Sequence, residues 1–121
     1  IVHDPQQRYG AHTDYDGFTL LQRDSRDAQS EGGGGLEIQM WDSGRWVAVP
    51  APPGTLTINI GDLLARWTND RWRATRHRVT RPVAGSEASS RDRLSLVLFT
   101  GPHPDTLVQS LPCEKCQVGE E

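Results

Sequence analysis

Apolar and polar residues alternate in short runs along this chain, and glycine or proline separates most of the runs. Phe18-Thr19-Leu20-Leu21-Gln22 reads as a strand and Leu36 to Met40 as another, since alternate side chains of extended backbone face opposite sides. Asp42-Ser43-Gly44 is a turn, after which Trp46-Val47-Ala48-Val49-Pro50 alternates again. Pro52-Pro53-Gly54 makes the next turn. Thr55 to Ile60 is β-rich, with Leu56, Ile58 and Ile60 on one face, and Gly61-Asp62 ends it. Leu63 to Trp67 fits either a short helical turn or a further strand. Thr75 to Thr80 reads as a strand. Leu94 to Thr100 is strongly apolar and is expected to be a central strand. Arg23 to Gly35 and Pro82 to Asp92 are loops by composition. Val2 to Gly10 is short and polar, with Pro5 and Gly10 as breakers. Pro102, Pro104 and Pro112 make the end of the chain largely irregular.

Many short strands joined by glycine and proline turns predict an all-β sandwich or barrel. No amphipathic helix of ordinary length interrupts them. A double-stranded β-helix, or jelly roll, suits the pattern and limits exposed edges by pairing two sheets. An immunoglobulin-like sandwich fits the pattern almost as well, and only the candidate metal residues described below decide between the two. A chain of 121 residues is one domain by size. It buries roughly two-thirds of its unfolded surface, which is enough for one core. The jelly roll is expected over 1–108, followed by an irregular tail over 109–121.

Charge excludes some functions. The net charge is −3, so no surface for polyanions is implied. Arg66, Arg71, Arg73, Arg76, Arg78 and Arg81 do cluster, with Trp67 and Trp72 among them. A nucleic-acid reader would back such a patch with a recognition motif, and none is present. Arginines along an exposed strand and its loops are the simpler account. No apolar run approaches the roughly 20 residues that span a bilayer, and no basic-then-apolar leader is found. The expectation is a soluble, cytoplasmic protein without nucleic-acid or membrane partners. The two cysteines, Cys113 and Cys116, lie near the end. A single Cys-x-x-Cys supplies two thiolates where structural zinc takes four ligands, and no thioredoxin-like frame precedes it. A tail with two reduced thiols is expected; half of a shared zinc site is the alternative.

The chemistry concentrates in three places. His12 and Asp14 are one residue apart, so in extended backbone their side chains converge. His77 lies on a predicted strand that could run past them. Two imidazoles and one carboxylate on one face of an octahedral ion leave three positions open, the arrangement of non-haem Fe(II) oxygenases. Structural zinc, by contrast, has all four positions closed by protein. Arg93 and Ser95 share one face of the last apolar strand. A guanidinium fork fits a carboxylate through two parallel hydrogen bonds, and a serine hydroxyl adds a third donor. Thr13 and Tyr15 alternate away from the ligands and are expected to pack. Phe18 and Leu20 are expected to line the barrel interior. Trp67 and Trp72 could wall a pocket or simply pack. His3 and His103 read as surface residues.

The run His12-Thr13-Asp14-Tyr15-Asp16-Gly17-Phe18-Thr19-Leu20-Leu21 resembles the first metal-binding segment of the iron/2-oxoglutarate dioxygenase superfamily, most closely its isopenicillin N synthase-like branch. Gly34-Gly35-Leu36-Glu37-Ile38 looks like that branch's GGLxv strand start. Trp46 to Asp62, WVAVPAPPGTLTINIGD, resembles its WxxVpPxPGxlxvNxGD stretch. Trp67-Thr68-Asn69-Asp70, His77-Arg78-Val79 and Arg93-Leu94-Ser95 follow in the family's order. The resemblance covers residues 10 to about 105.

It implies that His12, Asp14 and His77 bind Fe(II) and that Arg93 and Ser95 bind the distal carboxylate of 2-oxoglutarate. Asn59 would reach the cofactor or its surroundings, or serve the architecture; Asp62 would be a turn or cap residue. The implied reaction hydroxylates or desaturates a small organic substrate with dioxygen. Two alternatives stay open: an isopenicillin N synthase-like oxidative cyclase that uses no 2-oxoglutarate, and an inactive metal-binding jelly-roll module. Relatives of this branch are longer, with a helical N-terminal region, so the resemblance implies only the C-terminal catalytic part of the family fold. A homodimer, or a missing N-terminal segment, would then cover the exposed sheet. The upstream tyrosine or asparagine often used on the co-substrate has no clear counterpart here; only Tyr9 precedes the motif closely.

Overall fold

A computed structural model of the chain describes residues 7–24, 33–81, 92–112 and 116. Most of the two expected loops (25–32 and 82–91), His3 and Cys113 lie outside the described residues. The described residues form β1 (Gln7–His12), β2 (Phe18–Arg23), β3 (Leu36–Gln39), β4 (Trp46–Ala48), β5 (Thr57–Ile60), α1 (Asp62–Trp67), β6 (His77–Thr80) and β7 (Ser95–Phe99). They contain no helix long and apolar enough to cross a membrane.

The chain divides into two compact units. One comprises Ile1–His12, Leu21–Thr57 and Arg76–Leu96; the other comprises Thr13–Leu20, Ile58–Thr75 and Val97–Glu121. The first holds an antiparallel sheet in the order β1-β6-β3-β4. Ile38 lies opposite His77 between β3 and β6, and Val47 opposite Ile38 between β4 and β3. Just before β3 the chain makes a single 3-10 turn, Gly33–Gly35. Gly35 sits at φ +88, and a Cβ there would lie 2.6 Å from the Thr80 carbonyl oxygen. Only glycine fits that position. The Arg23 guanidinium donates to the carbonyl of Val49 at 2.9 Å and to Thr57 Oγ1 at 3.1 Å, tying down the chain between β4 and β5. On β6, Arg78 donates to Glu37 at 2.7 Å and stacks over Trp46 with its guanidinium carbon 4.1 Å from the ring centre.

β1 corrects the sequence reading, which gave Val2 to Gly10 no strand. Among the described residues β1 pairs with β6 alone, at the edge of its sheet, which suits a polar segment. Backbone hydrogen bonding to β6 holds it, and Arg8, Tyr9 and Gly10 remain exposed.

In the second unit, α1 starts at Gly61 without a side-chain cap. The first amides of a helix have no intrahelical partner, and here the loop after β1 accepts their hydrogen bonds. Gly61 N–H donates to the Gly17 carbonyl at 2.9 Å, Asp62 N–H to that of Asp14 at 2.8 Å, and Leu63 N–H to that of Asp16 at 3.1 Å. The Leu111 amide donates to the Trp67 carbonyl at the other end of α1, at 2.8 Å.

A second sheet has the order β5-β2-β7. β7 was expected to be central. Among the described residues it is an edge strand of this sheet instead, and Leu96, Val97, Leu98 and Phe99 are all about half exposed or more. Leu56 and Ile58 are exposed as well. Their apolar character therefore does not come from burial within the described residues. There, the buried apolar side chains are Leu36, Ala51, Ala65 and Cys116, and no large side chain is fully buried. This is a thinner core than chain length suggests. Cys116 also departs from expectation: it is buried and disulfide-bonded, not a reduced thiol.

A Cβ at Gly61 would lie 2.2 Å from the Asp16 carbonyl oxygen. Gly61→Ala must therefore push the loop off the start of α1, at a cost of about 2 kcal/mol. Urea denaturation should show a lower midpoint; a midpoint like that of the unaltered protein would mean that this contact is not tight.

Candidate metal centre

His12 and His77 meet because β1 and β6 place them in register, directly opposite one another. Side chains at such positions are neighbours. The two rings are 4.3 Å apart, centre to centre, and tilted by 54°. Tyr9 approaches His12 edge-on at 4.5 Å. His12 Nδ1 lies 2.8 Å from the Gly10 carbonyl oxygen. A carbonyl only accepts, so Nδ1 carries the proton and Nε2 the lone pair. Histidines that bind metals are usually held in this way.

Asp14, two residues past His12, is buried. Its backbone carbonyl is fixed by Asp62. Its carboxylate oxygen Oδ2 accepts from Thr19 Oγ1 at 2.6 Å and from Asn59 Nδ2 at 2.8 Å. His12, Asp14 and His77 each offer one ligand atom, and these atoms all lie within 4.8 Å of one another. Two nitrogen donors and one anionic oxygen suit a transition metal such as iron. The sequence expectation that these three residues converge matches this geometry.

The other candidates are placed as follows. Asn59, on β5, makes the contact to Asp14 just given. Asp62 opens α1 and accepts from the Thr13 hydroxyl at 3.2 Å. Arg93 is half-buried just before β7, and its guanidinium donates to the Gly34 carbonyl. Ser95 is the first residue of β7 and is exposed. His103 is exposed, as expected, beside Asp105. Tyr15 does not pack: it is 86% exposed. Trp72 is exposed too.

Sequence reasoning missed Thr19. It placed Phe18 and Leu20 inside because they are apolar. The strand presents the opposite face: Phe18 is exposed, whereas Thr19 is 3% exposed. Thr19 also lies 3.0 Å from Asp16 Oδ2, which in turn accepts from the Thr100 amide at 3.2 Å. One signal was available. Thr19 is the polar residue of an otherwise apolar run close behind the His-x-Asp motif, where a hydroxyl needs a partner.

A family model described as the 2OG-Fe(II) oxygenase superfamily matches residues 2–102. A protein named Validamycin A dioxygenase, from Streptomyces hygroscopicus subsp. limoneus, is 42% identical over 100 residues, which cover 83% of this chain and 25% of that protein. The 2-oxoglutarate-dependent dioxygenase lolO1 of Epichloe uncinata is 38% identical over 116 residues, covering 89% of this chain and 30% of that one. A full-length Neurospora crassa protein, solved in complex with alpha-KG, superposes with a TM-score of 0.79 at 34% identity, over 96% of this chain and 35% of its own. The chain thus spans about a quarter to a third of the length of these proteins. The shared fold is mostly β and of the double-stranded β-helix type, in agreement with the sequence expectation.

Asp14→Asn keeps the shape of the side chain and removes its charge. Co(II) affinity, measured by anaerobic titration, should fall more than about a hundredfold, beyond the usual effect of an outer-shell partner. Unchanged affinity would remove Asp14 from the centre.

Proposed function

The chain belongs to the 2OG-Fe(II) oxygenase superfamily, and we propose that it takes part in the oxidation of a small organic substrate by dioxygen, dependent on iron(II) and 2-oxoglutarate. The gathering of donors from His12, Asp14 and His77 within 4.8 Å carries this reading. These three residues would hold the iron. When bound, iron would couple the oxidation of 2-oxoglutarate to succinate and carbon dioxide with hydroxylation or desaturation of a C–H bond.

The residues of the chain supply position. The Gly10 carbonyl orients the His12 ring, and the β1–β6 register sets His77 beside it. Arg93 and Ser95 would hold the far carboxylate of 2-oxoglutarate. Guanidinium has five donors in a plane. The bond to the Gly34 carbonyl fixes the side chain. Within the superfamily, the run from Trp46 to Asp62 supports the isopenicillin N synthase-like branch. A cytoplasmic setting was expected, but the disulfide at Cys116 fits an oxidising compartment better, because cytoplasmic reductants keep thiols reduced. The exposed apolar residues of β5 and β7 support a face that is covered in the working protein, by a second copy or a further segment. Light scattering of the purified protein decides on the second copy.

Anaerobic addition of Fe(II) should give a visible charge-transfer band only when 2-oxoglutarate is also present. Air should then release succinate. Bound iron with neither band nor succinate would overturn the dependence on 2-oxoglutarate and leave the cyclase or inactive-module readings. Arg93→Gln should weaken 2-oxoglutarate roughly 10- to 100-fold, as expected for a lost charged hydrogen bond, with iron affinity unchanged. Titration of the band at fixed iron checks this.

A further inference from the structure

We infer that Tyr9 is a specificity-determining residue, which touches the substrate and selects for a flat, unsaturated ring. This rests on His12, Asp14 and His77 being a metal centre, and it names the substrate class of that centre. The ring of Tyr9 lies with its centre 4.5 Å from that of His12 and its plane at 68° to the imidazole. Tyr9 is also 61% exposed. An accessible aromatic ring thus stands beside a metal-binding imidazole.

A slip in strand pairing puts it there. Tyr9 and His12 are three residues apart, so in regular extended backbone they would face opposite sides of the sheet. Their partners on β6, Val79 and His77, are only two apart. The extra residue on β1 is a β-bulge, a feature that re-aims side chains and is common next to active sites. It brings Tyr9 round to the face that carries both imidazoles. The Gly10 carbonyl, inside the same irregular stretch, accepts from His12 Nδ1 at 2.8 Å. One bulge therefore orients the ligand and places the aromatic ring next to it.

The rest of that face is apolar. Directly opposed side chains share a face. Val79 opposes Leu36 and His77 opposes Ile38, and Ile38 opposes Val47. The other face of the sheet carries the Glu37–Arg78 ion pair, at 2.7 Å. A molecule brought to the metal over the imidazole face meets aliphatic side chains and one aromatic ring that bears a hydroxyl. Sites of this make-up take largely apolar ligands and orient them with few polar groups. Tyr9 adds the preference for a flat ring, since aromatic rings attract one another beyond the area they bury.

The test compares 2-naphthol with its saturated counterpart, decahydro-2-naphthol, on protein loaded with Co(II) and 2-oxoglutarate. The two probes share a carbon frame and a hydroxyl. The saturated one is at least as apolar, so burial alone does not favour 2-naphthol. NMR titration gives each affinity, and line broadening of the probe by Co(II), absent with Zn(II), shows binding beside the metal. 2-Naphthol should be broadened in this way and should bind about 3- to 10-fold more tightly than the saturated probe. Tyr9→Phe should keep the preference and Tyr9→Leu should abolish it. The side chain is exposed, so neither change should disturb folding much. Equal affinities, no binding of 2-naphthol, no Co(II) broadening, or a preference that survives in Tyr9→Leu overturns the inference, and Co(II) uptake then leaves the metal centre standing. Failure of the unaltered protein to take up Co(II) overturns the metal centre itself, and the inference with it.

Discussion

Three successive amides, from Gly61 to Leu63, donate to the carbonyls of Gly17, Asp14 and Asp16. The placement of Asp14 depends on this contact. Each such bond contributes about 1 kcal/mol net, but an unmade buried one costs more. The contact therefore does two tasks at once. It starts α1 without a side-chain cap, and it fixes the loop that follows β1. Asn59 lies two residues before Gly61, and from there its amide reaches the Asp14 carboxylate. The stretch from Asn59 to Asp62 therefore acts on the site through backbone geometry and one side-chain donor. Asp62 itself touches Thr13 rather than the ligands.

Part of this was legible in the sequence. Alternation and turn residues located β2, β3, β4 and β5 to within a few residues, because each carries its own local signal. The His-x-Asp spacing was legible for the same reason: two side chains on one face of extended backbone need no tertiary information. β1 was not legible. Its stability comes from pairing with β6, and pairing leaves no mark on a polar edge strand. Thr19 was hidden by the rule that apolar residues go inside. That rule ranks Phe18 and Leu20 above a threonine, yet the strand buries the threonine because a carboxylate waits for its hydroxyl. His77 could be named from its motif, but its meeting with His12 is a matter of sheet register.

β7 shows the converse error. Its run of apolar residues was read as a mark of a central strand, and the strand is in fact exposed at the edge of its sheet. The chain spans about a quarter to a third of the length of the relatives it matches. Contiguous exposed apolar residues of this kind usually mark surfaces that meet something.

Asp14 and Asp16 show how far residue type is from role. They have the same side chain, and both touch Thr19. Asp14 takes the Thr19 and Asn59 donors on one oxygen and lies beside two imidazoles. Asp16 has its Oδ2 on the Thr100 amide, so it ties the loop to the end of β7. Its Oδ1 is buried without a hydrogen-bond partner among the described residues. A Cβ at Gly61 would lie 2.3 Å from that oxygen. The glycine after Asn59-Ile60 therefore makes room for the second aspartate, while the asparagine serves the first. Two motifs far apart in the sequence are in this way a single steric arrangement: the second carboxylate fits only where the other segment has no side chain, and with it in place the loop can hold the first one toward His12 and His77.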